Sequence, residues 1–265
     1  MGRPVLSKRG RGLGPGTVGR RLLSLRYLLT RDRAATLRFL RADASGPLAA
    51  RLQLLRSMVH ITNHVRGYHT LAELLTVNQE ILARTSPVVV ECGAGSGSST
   101  AKLSLAVRAA GGVLHVFDSF RGIPPNDEVH QNLDGRRVVF RPGAFTGRLQ
   151  AVKRVVEAHG APEVCHYYKG LFEETLPSFR RPLDVVLLDV DLLSSTRTCL
   201  RELFPQLTSD GVLFSQDGHL VAIVELLKDQ AFWRELGVSP PAIEGLGRAK
   251  LLRLQPQPRE PSATA

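Results

Sequence analysis

A short β-branched run that breaks directly into glycines constrains this chain most: Pro87-Val88-Val89-Val90-Glu91-Cys92-Gly93-Ala94-Gly95-Ser96-Gly97. Consecutive valines without polar alternation read as a strand buried on both faces, which is the behaviour of a parallel sheet. Glycines immediately after it permit a tight turn and let a ligand approach the backbone beyond the strand end. The same rhythm continues downstream. Further strands are expected at Val113–Phe117, which runs into Asp118, and at Val164–Lys169, Leu183–Asp189 and Gly211–Ser215. Helices are expected at Ser98–Ala110, Gly147–His159, Ser194–Leu207 and Leu220–Leu236, with Ala242–Gly245 and Lys250–Leu254 as a closing pair of strands. Strands alternating with helices predict an α/β fold: a doubly wound, mostly parallel seven-stranded sheet of Rossmann-like type. Residues 119–146 carry no period and read as a long loop.

Ahead of the sheet the pattern is different. Residues 1–16 are rich in Gly, Pro and Arg and read as a disordered basic tail. Residues 17–84 form a helical extension, with apolar residues at helical spacing from Val18 to Val65, a break near Ser45-Gly46-Pro47, and a further helix over Thr70–Ala83. The ligand-binding domain spans 85–254, and 255–265 form a loose tail. The formal net charge of +11 is uneven: residues 1–66 hold 14 Lys and Arg against two acids, while the remainder is nearly neutral. The basic arm suits an anionic membrane surface or a solvated helical face, and without interleaved aromatics it does not favour nucleic acid. These helices are expected to cap a site or to form a contact between copies in a homo-oligomer. Three scattered cysteines and the absence of a bilayer-length apolar run point to a cytoplasmic protein.

The spacing of the glycine turn discriminates between ligands. A dinucleotide fingerprint needs G-x-G-x-x-G, and Ser98 stands where its last glycine belongs, so a nicotinamide-dependent oxidoreductase is the weaker rival. An acid before G-x-G-x-G suits a ligand with an ammonium and a sulfonium, with Glu91 offsetting positive charge and Gly93, Gly95, Gly97 and Ser98 shaping the turn. Asp118, followed by Ser119, ends the second strand, where a carboxylate accepts both ribose hydroxyls of an adenosine-containing cofactor. Two later strands also end in polar groups, at Asp189-Val190-Asp191 and Gln216-Asp217-Gly218-His219. Asp189, Gln216 and Asp217 are candidate oxygen ligands for Mg²⁺, which would lower the pKa of an acceptor oxygen. Asp189 and Asp217 read equally as caps of the helices that follow. His219 is a candidate general base without any ion. His60 and His64, at i and i+4, lack the Glu of a zinc motif, and His69 falls outside their turn.

Together these segments resemble the macrocin O-methyltransferase (TylF/MycF-like) family of class I methyltransferases. The matching blocks are Glu91–Gly97, Asp118-Ser119-Phe120-Arg121-Gly122-Ile123-Pro124, Lys169-Gly170-Leu171-Phe172-Glu173-Glu174-Thr175-Leu176-Pro177, Asp189–Thr196 and Leu203–Leu207. The resemblance covers about residues 87–235. It implies S-adenosylmethionine as donor and methylation of a small-molecule hydroxyl, often a natural-product sugar and often with Mg²⁺. It implies further that Asp118 binds ribose, Asp189 acts as metal ligand and base, and Asp217 is a second ligand. Family members have two adjacent acids and an aromatic where this chain has Gln216-Asp217-Gly218, and a Tyr at the position of Leu193. A cofactor-binding protein of the same fold that has lost turnover is the alternative that Gln216 raises.

Overall fold

The computed structural model describes residues 32–42 and 46–257. The expected basic tail at 1–16, the helical stretch from Val18 to Leu29 and the tail beyond 257 lie outside the described residues. Helix α1 (Arg33–Arg41), α2 (Leu48–His64) and α3 (Leu71–Leu82) form the extension. Thr70 opens α3 with a reciprocal cap: its hydroxyl accepts from Glu73 N, and the Glu73 carboxylate accepts from Thr70 N at 2.7 Å.

Seven strands then build one sheet: β1 (Val88–Cys92), β2 (Val113–Asp118), β5 (Cys165–Lys169), β6 (Leu183–Leu188), β7 (Leu207–Ser215), β8 (Ala242–Glu244) and β9 (Leu252–Gln255). Their order is β5-β2-β1-β6-β7-β9-β8. The first five are parallel, and β9 runs antiparallel to both of its neighbours. The doubly wound α/β sheet expected from the sequence is therefore present. Alternation along each strand feeds two cores. Val90, Cys92, Val186, Leu188 and Leu213 face the layer that holds Leu200, Ile223 and Trp233. Val89, Val116, Val185, Leu187 and Phe214 face the layer of Met58, Leu75 and Leu103. All of these side chains are buried, and truncating one such leucine to alanine costs about 2–5 kcal/mol.

The intervening helices are α4 (Ser98–Ala109), α5 (Leu149–His159), α6 (Phe172–Thr175), α7 (Leu193–Leu203), α8 (Val221–Lys228) and α9 (Gln230–Glu235). Two departures from the sequence reading have local causes. The single helix expected over Leu220–Leu236 is broken at Asp229, whose backbone is extended (φ −69°, ψ 103°) and whose side chain caps α9 through Ala231 N. The long loop 119–146 contains a short antiparallel ribbon, β3 (His130–Gln131) with β4 (Arg137–Val138), anchored where Leu133 N donates to His219 O. No helix among the described residues is long and apolar enough to cross a membrane.

Strand β1 lies between β2 and β6, so the winding direction reverses there, and the crevice beyond their carboxyl ends is where such sheets bind ligands. Backbone bonds fix the loops at that edge. Gly93 N donates to Phe117 O, Asp189 N to Cys92 O and Gln216 N to Leu188 O, all at 2.8–3.0 Å.

Candidate active site

A cavity of about 650 Å³ opens at this reversal point. Gly93, Gly95, Asp118 and Ser119 line one end, and Asp189, Asp191, His219 and Lys250 line the floor. Pro124, Pro125, Asn126 and Phe140, here termed the roof, line it from the excursion after Asp118, and Leu192, Ser194, Ser195 and Thr198 line it from the α7 region.

Asp118 organises the glycine turn. Its Oδ2 accepts from Ala94 N at 2.7 Å and Gly95 N at 3.3 Å, and its Oδ1 accepts from Phe120 N at 2.6 Å. Burial raises its pKa against these bonds, which act the other way. The glycine turn needs its glycines. Gly93 has φ +94°, and a Cβ there would lie 2.0 Å from the backbone oxygen of Asp189. Gly95 faces open space, its nearest neighbour being Phe145 O at 4.0 Å.

Several sequence candidates do not line the cavity. Glu91 lies beneath the turn, because alternation along β1 sends it to the face covered by α4. It is fully buried, its Oε2 accepts from Thr100 Oγ1 at 2.6 Å, and its Oε1 has no partner. Burial pushes its pKa up to about 7. Gly97 precedes α4 in a left-handed conformation, and Ser98 is buried, accepting from the Lys102 ammonium at 3.1 Å. These three shape the turn from behind.

The carboxylates converge, with one exchange of members. Single oxygens of Asp189, Asp191 and Asp217 all lie within 4.8 Å of one another. Neither Gln216 nor Asp217 lines the cavity; Asp217 is buried yet offers an oxygen to the cluster, whereas Gln216, expected in this set, is fully buried outside it with neither amide atom partnered. Asp191 takes the third place because its backbone is left-handed (φ 62°), a conformation that Asp tolerates better than most residues. Asp217 Oδ2 accepts from Val190 N at 3.3 Å and Asp191 N at 3.1 Å, so it ties the two strand ends together rather than capping the next helix. Burial is the main cause that pushes all three pKa values up, to about 6 for Asp189, 8 for Asp191 and 7 for Asp217. Asp217 and Asp189 add to it at Asp191, Asp189 at Asp217, and Glu73 and Asp118 at Asp189, with Lys250 acting in the opposite sense on each. Three hard oxygen donors at this spacing fit a divalent cation such as Mg²⁺.

Two histidines approach the cluster. His219 lines the cavity, and burial lowers its pKa. His69, set aside in the sequence, sits with Nε2 3.4 Å from Asp189 Oδ2 and its side chain 6% exposed. Burial holds it near pKa 4, so the contact pairs an ionisable acid with a neutral ring. Nothing in the spacing of residues 69 and 189 signals this pairing; only the packing of the extension over the sheet edge creates it.

Residues 90–218, just under half of the chain, match the family model described as "Methyltransferase domain". The fold is that of class I methyltransferases. It is shared with the O-methyltransferase NovP (TM-score 0.58, 19% identity, covering 72% of this chain and 84% of that one). It is also shared with the calicheamicin methyltransferase CalS11 (TM-score 0.53, 17% identity, covering 85% and 93%). In sequence, the chain is similar to 8-demethyl-8-(2,3-dimethoxy-alpha-L-rhamnosyl)-tetracenomycin-C 4'-O-methyltransferase of Streptomyces olivaceus. The two are 29% identical over 167 residues, which cover 60% of this chain and 63% of that protein. The match thus spans less than two thirds of that relative's length. The glycine turn, Asp118 and all three clustered acids fall within the matched domain.

Proposed function

We propose that this protein is an S-adenosylmethionine-dependent O-methyltransferase acting on a hydroxyl of a small molecule, a sugar of a natural product. One observation carries the reading: Asp118 beside the open glycine turn, and Asp189 and Asp191 of the carboxylate cluster, line one cavity whose 650 Å³ lies in the range of about 300–1,000 Å³ typical of small-ligand sites. The donor's nucleoside fits the end formed by Gly93, Gly95, Asp118 and Ser119, with Glu91 buried just behind as a compensating acid. The acceptor fits between the roof and α7, where Ser194, Ser195 and Thr198 offer hydroxyls to a polar ligand. The sugar class draws on the named activity of the Streptomyces relative, and the sequence blocks at 118–124 and 169–177 support the finer resemblance to macrocin O-methyltransferases.

In this reading Asp189, and His219 that lines the same cavity, hold or accept the proton of the attacking hydroxyl, while the walls align its oxygen with the methyl group for in-line displacement. Asp189, Asp191 and Asp217 would hold Mg²⁺, which supplies a positive charge that favours the deprotonated acceptor.

Calorimetric titration with S-adenosylmethionine and with NAD tests the donor. Binding of the first and not the second is expected, and the reverse overturns the reading. Labelled donor incubated with a panel of glycosides, with and without EDTA, then identifies the acceptor. Unchanged turnover in EDTA removes the cation from the account.

A further inference from the structure

The roof of the cavity is fastened at two points, and the second reaches across to another element. Asn126 closes the neck of the 124–141 excursion. Its Nδ2 donates to Pro124 O at 3.0 Å and Phe140 O at 3.2 Å, and its Oδ1 accepts from Glu128 N at 3.2 Å. Glu128 then crosses to α7. That helix starts after Leu192, which has no side chain able to cap it. Glu128, 65 positions earlier than Leu193, supplies the missing acceptors. Its Oε2 accepts from Leu193 N at 2.7 Å, and its Oε1 accepts from Ser194 N at 3.1 Å and Ser194 Oγ at 2.5 Å. His130 from the ribbon brings Nε2 to 3.1 Å from Oε2, with its ring 2% exposed.

We propose that Glu128 is an acceptor-positioning residue, whose carboxylate latches the roof onto α7 and so fixes the width of the acceptor end of the cavity. The inference rests on the methyl-transfer reading above. An anionic cap gains from the unpaired N–H groups and the dipole of a helix start, and charge-assisted bonds of this length are the strong ones. Its placement gives the latch a function beyond helix stability. One partner segment contributes Pro124, Pro125 and Phe140 to the cavity, and the other contributes Ser194, Ser195 and Thr198. Neither includes the glycine turn or Asp118. Releasing the latch therefore loosens the two walls that face the acceptor and leaves the donor end held by its own bonds.

The test uses the full chain and the variants Glu128→Gln, which keeps one acceptor oxygen, and Glu128→Ala. Amide hydrogen exchange is expected to quicken at least tenfold at residues 126–138 and 193–196 in the Ala variant and by less in the Gln variant, with α3 and α4 unchanged. The S-adenosylmethionine Kd should stay within twofold of the parent. With the acceptor returned by the labelled-donor screen, KM should rise tenfold or more while kcat stays within threefold, the signature of lost acceptor binding. Unaltered exchange at both segments overturns the latch. Donor affinity, kcat and KM all worsening together overturns the positioning role in favour of a general structural one. Failure of the parent to bind S-adenosylmethionine sinks the underlying reading and the acceptor role with it, while the exchange data still decide whether Glu128 fastens the roof.

Discussion

Gly93→Ala and Gly95→Ala sit two residues apart in the same turn and are expected to fail in different ways. At Gly93 the new Cβ would lie 2.0 Å from Asp189 O, and the backbone has φ +94°. The carbonyl has little room to retreat, because Asp189 N is bonded to Cys92 O at 2.9 Å on the neighbouring strand. A left-handed alanine costs about 1–2 kcal/mol and overpacking about 1–3 kcal/mol, so roughly 2–5 kcal/mol in all. For a domain of this size that lowers Tm by roughly 5–15 °C. At Gly95 the nearest atom to the new Cβ is Phe145 O at 4.0 Å, and φ is +48°. Only the backbone term remains, about 1 kcal/mol, with a Tm loss of roughly 4 °C or less. Its methyl group enters the cavity end assigned to the donor, so Gly95→Ala should bind S-adenosylmethionine at least tenfold more weakly while remaining well folded. Scanning calorimetry and isothermal titration on both variants separate the two effects. If Gly93→Ala melts within about 2 °C of the parent, the close approach of the turn to Asp189 is wrong. If Gly95→Ala binds the donor as the parent does, the donor does not lie on this turn.

Other expectations follow from buried charge. Glu91 has a folded pKa of about 7 against an ordinary 4.5, so the folded chain holds the extra proton between those values. Its stabilising balance is intact below pH 4.5 and is lost as pH rises through 7, by about 3 kcal/mol. In urea melts, Glu91→Gln should therefore gain on the parent at pH 8 and not at pH 4, and an equal difference at both would refute the assignment. Lys102 has the opposite sign: burial holds it near pKa 8 instead of 10.5, with Ser98 Oγ as the partner of its ammonium. The penalty of charging it is present below pH 8 and gone above 10.5, so Lys102→Met should raise Tm at pH 7 and lose that advantage by pH 10.5. Mg²⁺ titrated into the donor-free protein should bind at least tenfold more weakly to Asp191→Asn, whereas Gln216→Ala should leave its affinity within twofold. The reverse result would restore Gln216 to the ligand set.

What was legible in the sequence was what local composition and period encode. The valines of β1 and the apolar run of β6 specify strands buried on both faces, and the glycines with Asp118 mark the strand end that opens on the crevice. Helix α3 (Leu71–Leu82) lies within the Thr70–Ala83 span that helical spacing marks. Other features depend on contacts that no spacing records. The excursion after Asp118 has no period because its order comes from Asn126 and Glu128 bonding to remote backbone. At Asp229 the apolar phase does change, since Ile223, Val224 and Leu227 share one helical face while Phe232, Trp233 and Leu236 fall on the opposite one, so the break was recorded in the sequence but masked by the density of apolar residues. His69 meets Asp189 only because the extension packs over the sheet edge, across 120 residues of chain.

The exchange of Gln216 for Asp191 shows the same limit in electrostatic form. Reading along the chain pairs Gln216 with Asp217, because neighbours at a strand end are assumed to reach the same space. Consecutive side chains instead diverge there, and Gln216 follows the strand's alternation into the interior. Asp191 returns to the cluster through a left-handed residue that no strand pattern anticipates. With Gln216 turned inward, Asp191 supplies the third carboxylate of the cluster. Three such groups are held at raised pKa values, chiefly by burial and further by nearby carboxylates, with the Lys250 ammonium acting in the opposite sense. An arrangement of this kind is relieved by taking up protons or a cation, and the two are distinguished by whether Mg²⁺ binding releases protons to the buffer. Proton release that grows as the pH falls from 8 toward 6 is expected if the cation displaces protons from these acids; uptake with no release at any pH in that window would mean that the cluster binds no cation.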